Sequence, residues 1–185
     1  MKLLIVDLDG TLFDTKDVNY NAYREAIAGY GYEMDYEYYC KFCNGRHYLD
    51  FLPNITTKDK DVLLKIHADK KRAYKKHVDK AILNMPLVDI IKSMKKTEYK
   101  TAIVTTASKM NCDNILDHFE LRGLFDLILT QEDVNEPKPS PEGFLEAMEI
   151  FDASPEETII FEDSDIGIEA AKRSGAYYYK TYKFN

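Results

Sequence analysis

The stretch Leu3-Leu4-Ile5-Val6-Asp7-Leu8-Asp9-Gly10-Thr11-Leu12 decides the fold. Its apolar opening reads as a buried strand and runs straight into two aspartates spaced i, i+2, then a glycine and a threonine. A parallel strand ending in carboxylates delivers them to the carboxyl edge of a sheet, where open α/β folds bind ligands. Asp7 and Asp9 would emerge there, one attacking an electrophile or holding a cation while the other moves a proton. Taken alone, a strand followed by an ordinary Asp-Gly turn accounts for the pattern equally well.

Segments far downstream break that tie. Lys100 to Thr105 (KTAIVT) reads as a second buried strand ending in hydroxyl residues, Thr105 and Thr106. Glu136-Pro137-Lys138-Pro139-Ser140-Pro141 is a proline-stiffened loop presenting one lysine, with Pro141 suited to open a helix. Thr158 to Phe161 (TIIF) is a further apolar strand running into Glu162-Asp163-Ser164. Carboxylates, hydroxyl, ammonium and carboxylates are the inventory of phosphoryl transfer: nucleophile, acid/base, donors for phosphoryl oxygens, and oxygen ligands for Mg²⁺.

These segments resemble the haloacid dehalogenase superfamily, in the branch with a small helical cap inserted after the first motif. The resemblance rests on DLDGTLFDT at 7–15, IVT at 103–105, KPSP at 138–141 and FEDSDIGIEAA at 161–171. Within that branch, Glu162-Asp163-Ser164 is similar to the phosphoglycolate phosphatase and beta-phosphoglucomutase-like enzymes. Many relatives instead carry Gly-Asp-Ser and a second aspartate four residues after the first. Here that later position is Gly167, so the second acidic ligand is expected to be Glu162.

The resemblance implies roles. Asp7 is the nucleophile that forms an aspartyl-phosphate, and Asp9 is the acid/base. Mg²⁺ is held by Asp7, the Asp9 carbonyl and Asp163, with Glu162 as ligand or outer contact. Lys138 neutralises charge between Asp7 and the phosphoryl group. Thr105 donates its hydroxyl to a phosphoryl oxygen, with Thr106 as the alternative one residue on. Gly10 and Thr11 border the substrate, and Arg46, after Asn44-Gly45, would grip a distal anionic group bidentately.

The expected fold is α/β: a parallel, Rossmann-like sheet core with an all-helical cap inserted after the first strand. Residues 1–15 and 84–185 form the catalytic core and residues 16–83 the cap. Strands are expected at Lys2–Val6, Thr101–Thr105, Leu127–Leu129, Thr158–Phe161 and Ala176–Tyr179, alternating with helices. The resemblance puts the first strand in the centre, between those ending at Thr105 and Phe161. In the insert, helices are expected over Val18–Ala28 and near Asp35–Cys43. A short segment ending at Pro53 follows, and then a long helix opened by Thr57. The basic residues between Lys58 and Lys80 are interspersed with aspartates and read as a solvated helix face. Asp165 is expected to cap the last helix.

The chain has 185 residues and a formal net charge of −7, so no basic footprint points to nucleic acid. The apolar run before Asp7 is too short for a signal peptide or membrane span, and a cytoplasmic protein, monomeric by default, is expected. Three cysteines give no disulfide framework. Cys40-x-x-Cys43 with His47 raises a zinc site, but tyrosines and Phe42 surround the pair and structural zinc normally takes four ligands.

The function expected from all this is Mg²⁺-dependent hydrolysis of a small phosphorylated metabolite through an aspartyl-phosphate. The acid at Asp9 disfavours dehalogenase and phosphonate-hydrolase chemistry. A beta-phosphoglucomutase-like phosphomutase shares the chemistry up to the intermediate and is the enzymatic alternative; a non-catalytic binding or regulatory domain is the other.

Overall fold

The computed structural model describes residues 2–182 and 184. In chain order the elements are β1 (Leu3–Val6), β2 (Phe13–Asp14), α1 (Lys16–Ala28), α2 (Tyr36–Phe42), α3 (Tyr48–Ile55), α4 (Lys60–Tyr74) and β3 (Ile82–Leu83). Then come α5 (Met85–Lys95), β4 (Lys100–Val104), α6 (Lys109–His118), β5 (Leu127–Leu129), α7 (Glu142–Ile150), β6 (Thr158–Glu162), α8 (Asp165–Ser174) and β7 (Tyr177–Lys180). The chain divides into two compact units, Met1–Asp14 with Ile82–Asn185, and Thr15–Ala81.

In the first unit a five-stranded sheet has the order β5-β4-β1-β6-β7, and every pairing in it is parallel. β1 is central and apolar on both faces, with Leu3, Leu4, Ile5 and Val6 all fully buried. Leu3 and Ile5 join Ala102, Val104, Ile160, Phe144 and Ala170 in one core. Val6 pairs with Ile103 on one side and Phe161 on the other, so the three central strands end level. The residues that follow them therefore share one edge of the sheet.

The expected strands are present, with β4 and β7 shifted by one residue. Thr105 falls just past β4, although its N–H still donates to the Leu129 carbonyl at 3.0 Å. The antiparallel pair β2–β3 was not anticipated, since two-residue strands carry no period to read. Asn84 reinforces this junction: its Nδ2 donates to the Thr11 carbonyl at 3.0 Å and its Oδ1 caps α5 by accepting from Leu87 N.

The second unit is helical, with Tyr23, Ile27, Tyr39, Phe51, Leu52, Leu63 and Ile66 in its core. The long helix opens at Asp59, not Thr57: Asp59 Oδ1 accepts from Asp61 N and Val62 N, and the Thr57 hydroxyl accepts from Asp59 N instead. Pro53 lies inside α3, where burial of Phe51 and Leu52 outweighs the missing hydrogen bond. Lys70 departs from the solvated face. It is buried, donates to Asn19 Oδ1 at 2.6 Å, and lies 5.0 and 5.1 Å from the ring centroids of Tyr23 and Tyr74. No helix among the described residues is long and apolar enough to cross a membrane.

Candidate active site

Asp7 leaves the end of β1 and donates its N–H to the Phe161 carbonyl at 3.0 Å, which fixes its backbone against β6. Its side chain is buried, and Lys138 Nζ stands 2.6 Å from its Oδ1. The lysine is held from three sides, since Nζ also donates to Glu162 Oε1 at 2.8 Å and to the Val104 carbonyl at 2.9 Å. Its loop is anchored in turn: Glu142 accepts from the N–H groups of Asn135 and Glu136, and Arg173 Nη1 donates to the Pro139 carbonyl.

Asp163 follows β6, and its Oδ1 accepts from the Thr11 hydroxyl at 3.0 Å. Gly10 is required beside it, because φ is +90° and a Cβ there would overlap the Asp163 carboxylate. The Thr11 hydroxyl thus orients an acidic side chain, a use the sequence reading did not foresee. Glu162 is fully enclosed, with Oε2 accepting from Ser164 N at 2.8 Å and Ser164 Oγ at 3.0 Å. Ser164, not Asp165, caps α8 by accepting from Gly167 N; Asp165 begins the helix and pairs with Lys180. Serine wins because its short hydroxyl is already fixed by Glu162.

One ligand oxygen from each of Asp7, Glu162 and Asp163 lies within 4.8 Å of the others, the arrangement of a cation site. Burial pushes the Asp7 carboxyl well above its ordinary range; Lys138 opposes this, and Glu162 and Asp163 add to it. Burial and the Glu162 charge raise Asp163 to about 6. Burial disfavours the Lys138 charge, but Asp7 and Glu162 outweigh it and raise the ammonium above its usual value. Carboxylates facing a single lysine leave excess negative charge in a buried place. A hard divalent cation with oxygen ligands fits that donor set.

Asp9 lies close enough for its charge to raise both Asp163 and Cys112. Thr105 is buried, and its hydroxyl accepts from Ala107 N at 3.0 Å, which leaves the hydroxyl proton free to donate. Thr106 beside it is exposed. Both line a small cavity with Lys138, Thr130 and Phe144. Asp7, Gly10, Thr11, Lys138, Glu162 and Asp163 are therefore assembled at one sheet edge. Arg46 belongs to the other unit, exposed between α2 and α3. In that unit Cys40 is exposed and Cys43 buried, and the acidic trio is the metal-type cluster found among the described residues.

The sequence profile of the haloacid dehalogenase-like hydrolases matches residues 4–179. The chain belongs to this family. Similar haloacid dehalogenase-like proteins include the fructose-1-phosphate phosphatase YqaB of Escherichia coli K12, 29% identical over 175 residues and covering 93% of this chain and 92% of the relative. A phosphoglycolate phosphatase of Aquifex aeolicus is 31% identical, covering 95% of this chain and 82% of its own. Among solved structures, CbbY from Rhodobacter sphaeroides in complex with phosphate superposes with a TM-score of 0.83 at 25% identity. That match covers 96% of this chain and 84% of the other. The chain is an enzyme of this hydrolase family, and its relatives are phosphatases acting on phosphorylated substrates.

Proposed function

We propose that the chain is a Mg²⁺-dependent phosphatase of small phosphorylated metabolites that works through an aspartyl-phosphate at Asp7. The observation that carries this is the Lys138 ammonium held between Asp7 and Glu162, with Asp163 beside them. A carboxylate nucleophile and a phosphate ester are both anions, and a buried cation at the nucleophile removes their repulsion.

In this reading an Asp7 oxygen attacks phosphorus while the ester oxygen departs with a proton from Asp9. Asp9 then takes a proton from the water that cleaves the acyl-phosphate, returning Asp7 as a carboxylate and releasing inorganic phosphate. Thr105 donates to a phosphoryl oxygen, and Thr106 extends the same edge. Asp7, Asp163 and the Asp9 carbonyl would hold Mg²⁺, which when bound neutralises phosphoryl charge and orients the ester. Both Glu162 oxygens already accept hydrogen bonds, from Lys138 and from Ser164, so its part is to fix the lysine from outside the metal shell. Residues 16–83 serve as the cap, and Arg46 selects substrates with a second anionic group.

Sugar phosphates and phosphoglycolate are the first substrates to test, given the relatives' activities. The cysteines are free, which suits a reducing cytoplasm. The experiment is phosphate release from p-nitrophenyl phosphate and a panel of phosphorylated metabolites, with Mg²⁺ and with chelator. Mg²⁺-dependent release is expected; a wild-type protein inert towards the whole panel would overturn the reading.

A further inference from the structure

We propose that Gly167 is a positioning residue for phosphoryl transfer: its missing side chain is the space that lets Glu162 hold Lys138 against Asp7. The inference rests on the phosphatase reading of the same site. Gly167 is buried in the first turn of α8 and is not among the positive-φ glycines, so its backbone makes no demand for glycine. Helix propensity alone favours alanine there. The demand comes from a neighbour, because a Cβ at residue 167 would overlap Oε1, Cδ and Oε2 of Glu162.

Glu162 has nowhere to retreat. Its side chain is 1% exposed, Oε1 is bound to Lys138, and Oε2 is bound to the N–H and hydroxyl of Ser164. The Ser164 hydroxyl in turn accepts from Gly167 N at 3.1 Å. The first turn of α8 and the Lys138–Asp7 ion pair are thus joined through one carboxylate. A methyl group at 167 forces that carboxylate off one set of partners. Lys138 then loses an anion that fixes it, and the ammonium drifts from the attacking oxygen.

The test is a double-mutant cycle of Gly167→Ala and Glu162→Ala, read by p-nitrophenyl phosphate kinetics in saturating Mg²⁺ and by thermal midpoint in chelator. Gly167→Ala alone is expected to lower kcat by about ten- to a hundredfold with KM within about threefold, the scale of a displaced reacting group. It should also lower the midpoint. In the Glu162→Ala background the clash is gone, so adding Gly167→Ala should leave the midpoint level or higher and cost no further kcat. If Gly167→Ala alone does not fold, the double variant is expected to fold again. Equal midpoint losses in both backgrounds, or wild-type kcat in Gly167→Ala, would overturn the inference while leaving the phosphatase reading intact. A wild type without turnover overturns both.

Discussion

The ammonium of Lys138 lies 2.6 Å from Oδ1 of Asp7, and the two residues are 131 positions apart in sequence. Their side chains are 6% and 8% exposed, so neither charge has water as a substitute for the other. Lys138→Met keeps much of the length and removes the charge. It should lower turnover by about 10²–10³-fold, as loss of an electrostatic stabiliser does. It should also cost about 3–5 kcal/mol in urea unfolding without metal, the usual penalty for breaking a buried pair. Unchanged stability would mean that the carboxylates near Lys138 are relieved in another way.

Mg²⁺ should stabilise the folded protein as well as activate it, because the crowded carboxylates of Asp7 and Asp163 repel each other without it. At a Mg²⁺ concentration about a hundred times its Kd, the gain should be about 2.7 kcal/mol. Asp163→Ala should abolish that gain and demand far more Mg²⁺ for activity, whereas Glu162→Ala should lose mainly kcat. Ca²⁺ should activate poorly because its looser, higher coordination misplaces Asp7. Differential scanning calorimetry with each cation, beside rates, checks both statements.

Arg46 bears on hydrolysis against mutase chemistry. A mutase retains its phosphoryl-enzyme until a bisphosphate has turned round, which needs water excluded and the distal phosphate gripped. With Arg46 taken as the distal-anion grip proposed above, net phosphate release from simple monoesters without a bisphosphate activator is expected. Arg46→Ala should cost about 1.5–3 kcal/mol in kcat/KM on substrates with a second anion, and almost nothing on p-nitrophenyl phosphate. Equal losses on both would make the residue structural. Isomerisation of a sugar phosphate outpacing release would make the enzyme a mutase.

His67 gives the helical unit a pH dependence. Its ring is stacked on Tyr48 at 4.0 Å, and Nδ1 is buried without a hydrogen-bond partner. Burial first, then the Lys71 and Lys70 charges, lower its pKa to about 4, so the folded state keeps it neutral. The unfolded chain binds its proton near pH 6.5, so stability is complete above that value and is lost as pH falls towards 4. Solvent at this partly buried ring reduces the loss to about 1–2 kcal/mol. His67→Phe should keep the stack and remove this titration, so the wild-type-minus-variant stability difference should fall by about 1–2 kcal/mol as pH drops from 6.5 to about 4. A difference that does not change with pH would refute it.

Much of the site was legible because β1 and β4 are short apolar runs followed at once by Asp7 and by Thr105, and the apolar run of β6 leads directly into Glu162-Asp163. The pattern places these residues at strand ends, and the family resemblance supplied the central position of β1. Lys138 was legible through its prolines. What escaped the sequence depends on side chains meeting across the fold. The Thr11 hydroxyl turns to Asp163, Ser164 rather than Asp165 caps α8, and Lys70 is buried among tyrosines although its neighbours are solvated. No local period encodes these choices. Gly167 could be read only as an absent aspartate, whereas the structure makes it the neighbour that Glu162 requires.

The most direct measurement is turnover of p-nitrophenyl phosphate by Asp7→Asn in saturating Mg²⁺, with circular dichroism and thermal midpoint confirming the fold. The substitution is nearly isosteric and removes only the attacking charge. A nucleophile at Asp7 predicts a loss of at least about 10³-fold with a folded protein that no longer binds beryllium fluoride, a mimic of the aspartyl-phosphate. Retention of a tenth or more of wild-type kcat, as an order-of-magnitude threshold, in a preparation free of other phosphatases would contradict it.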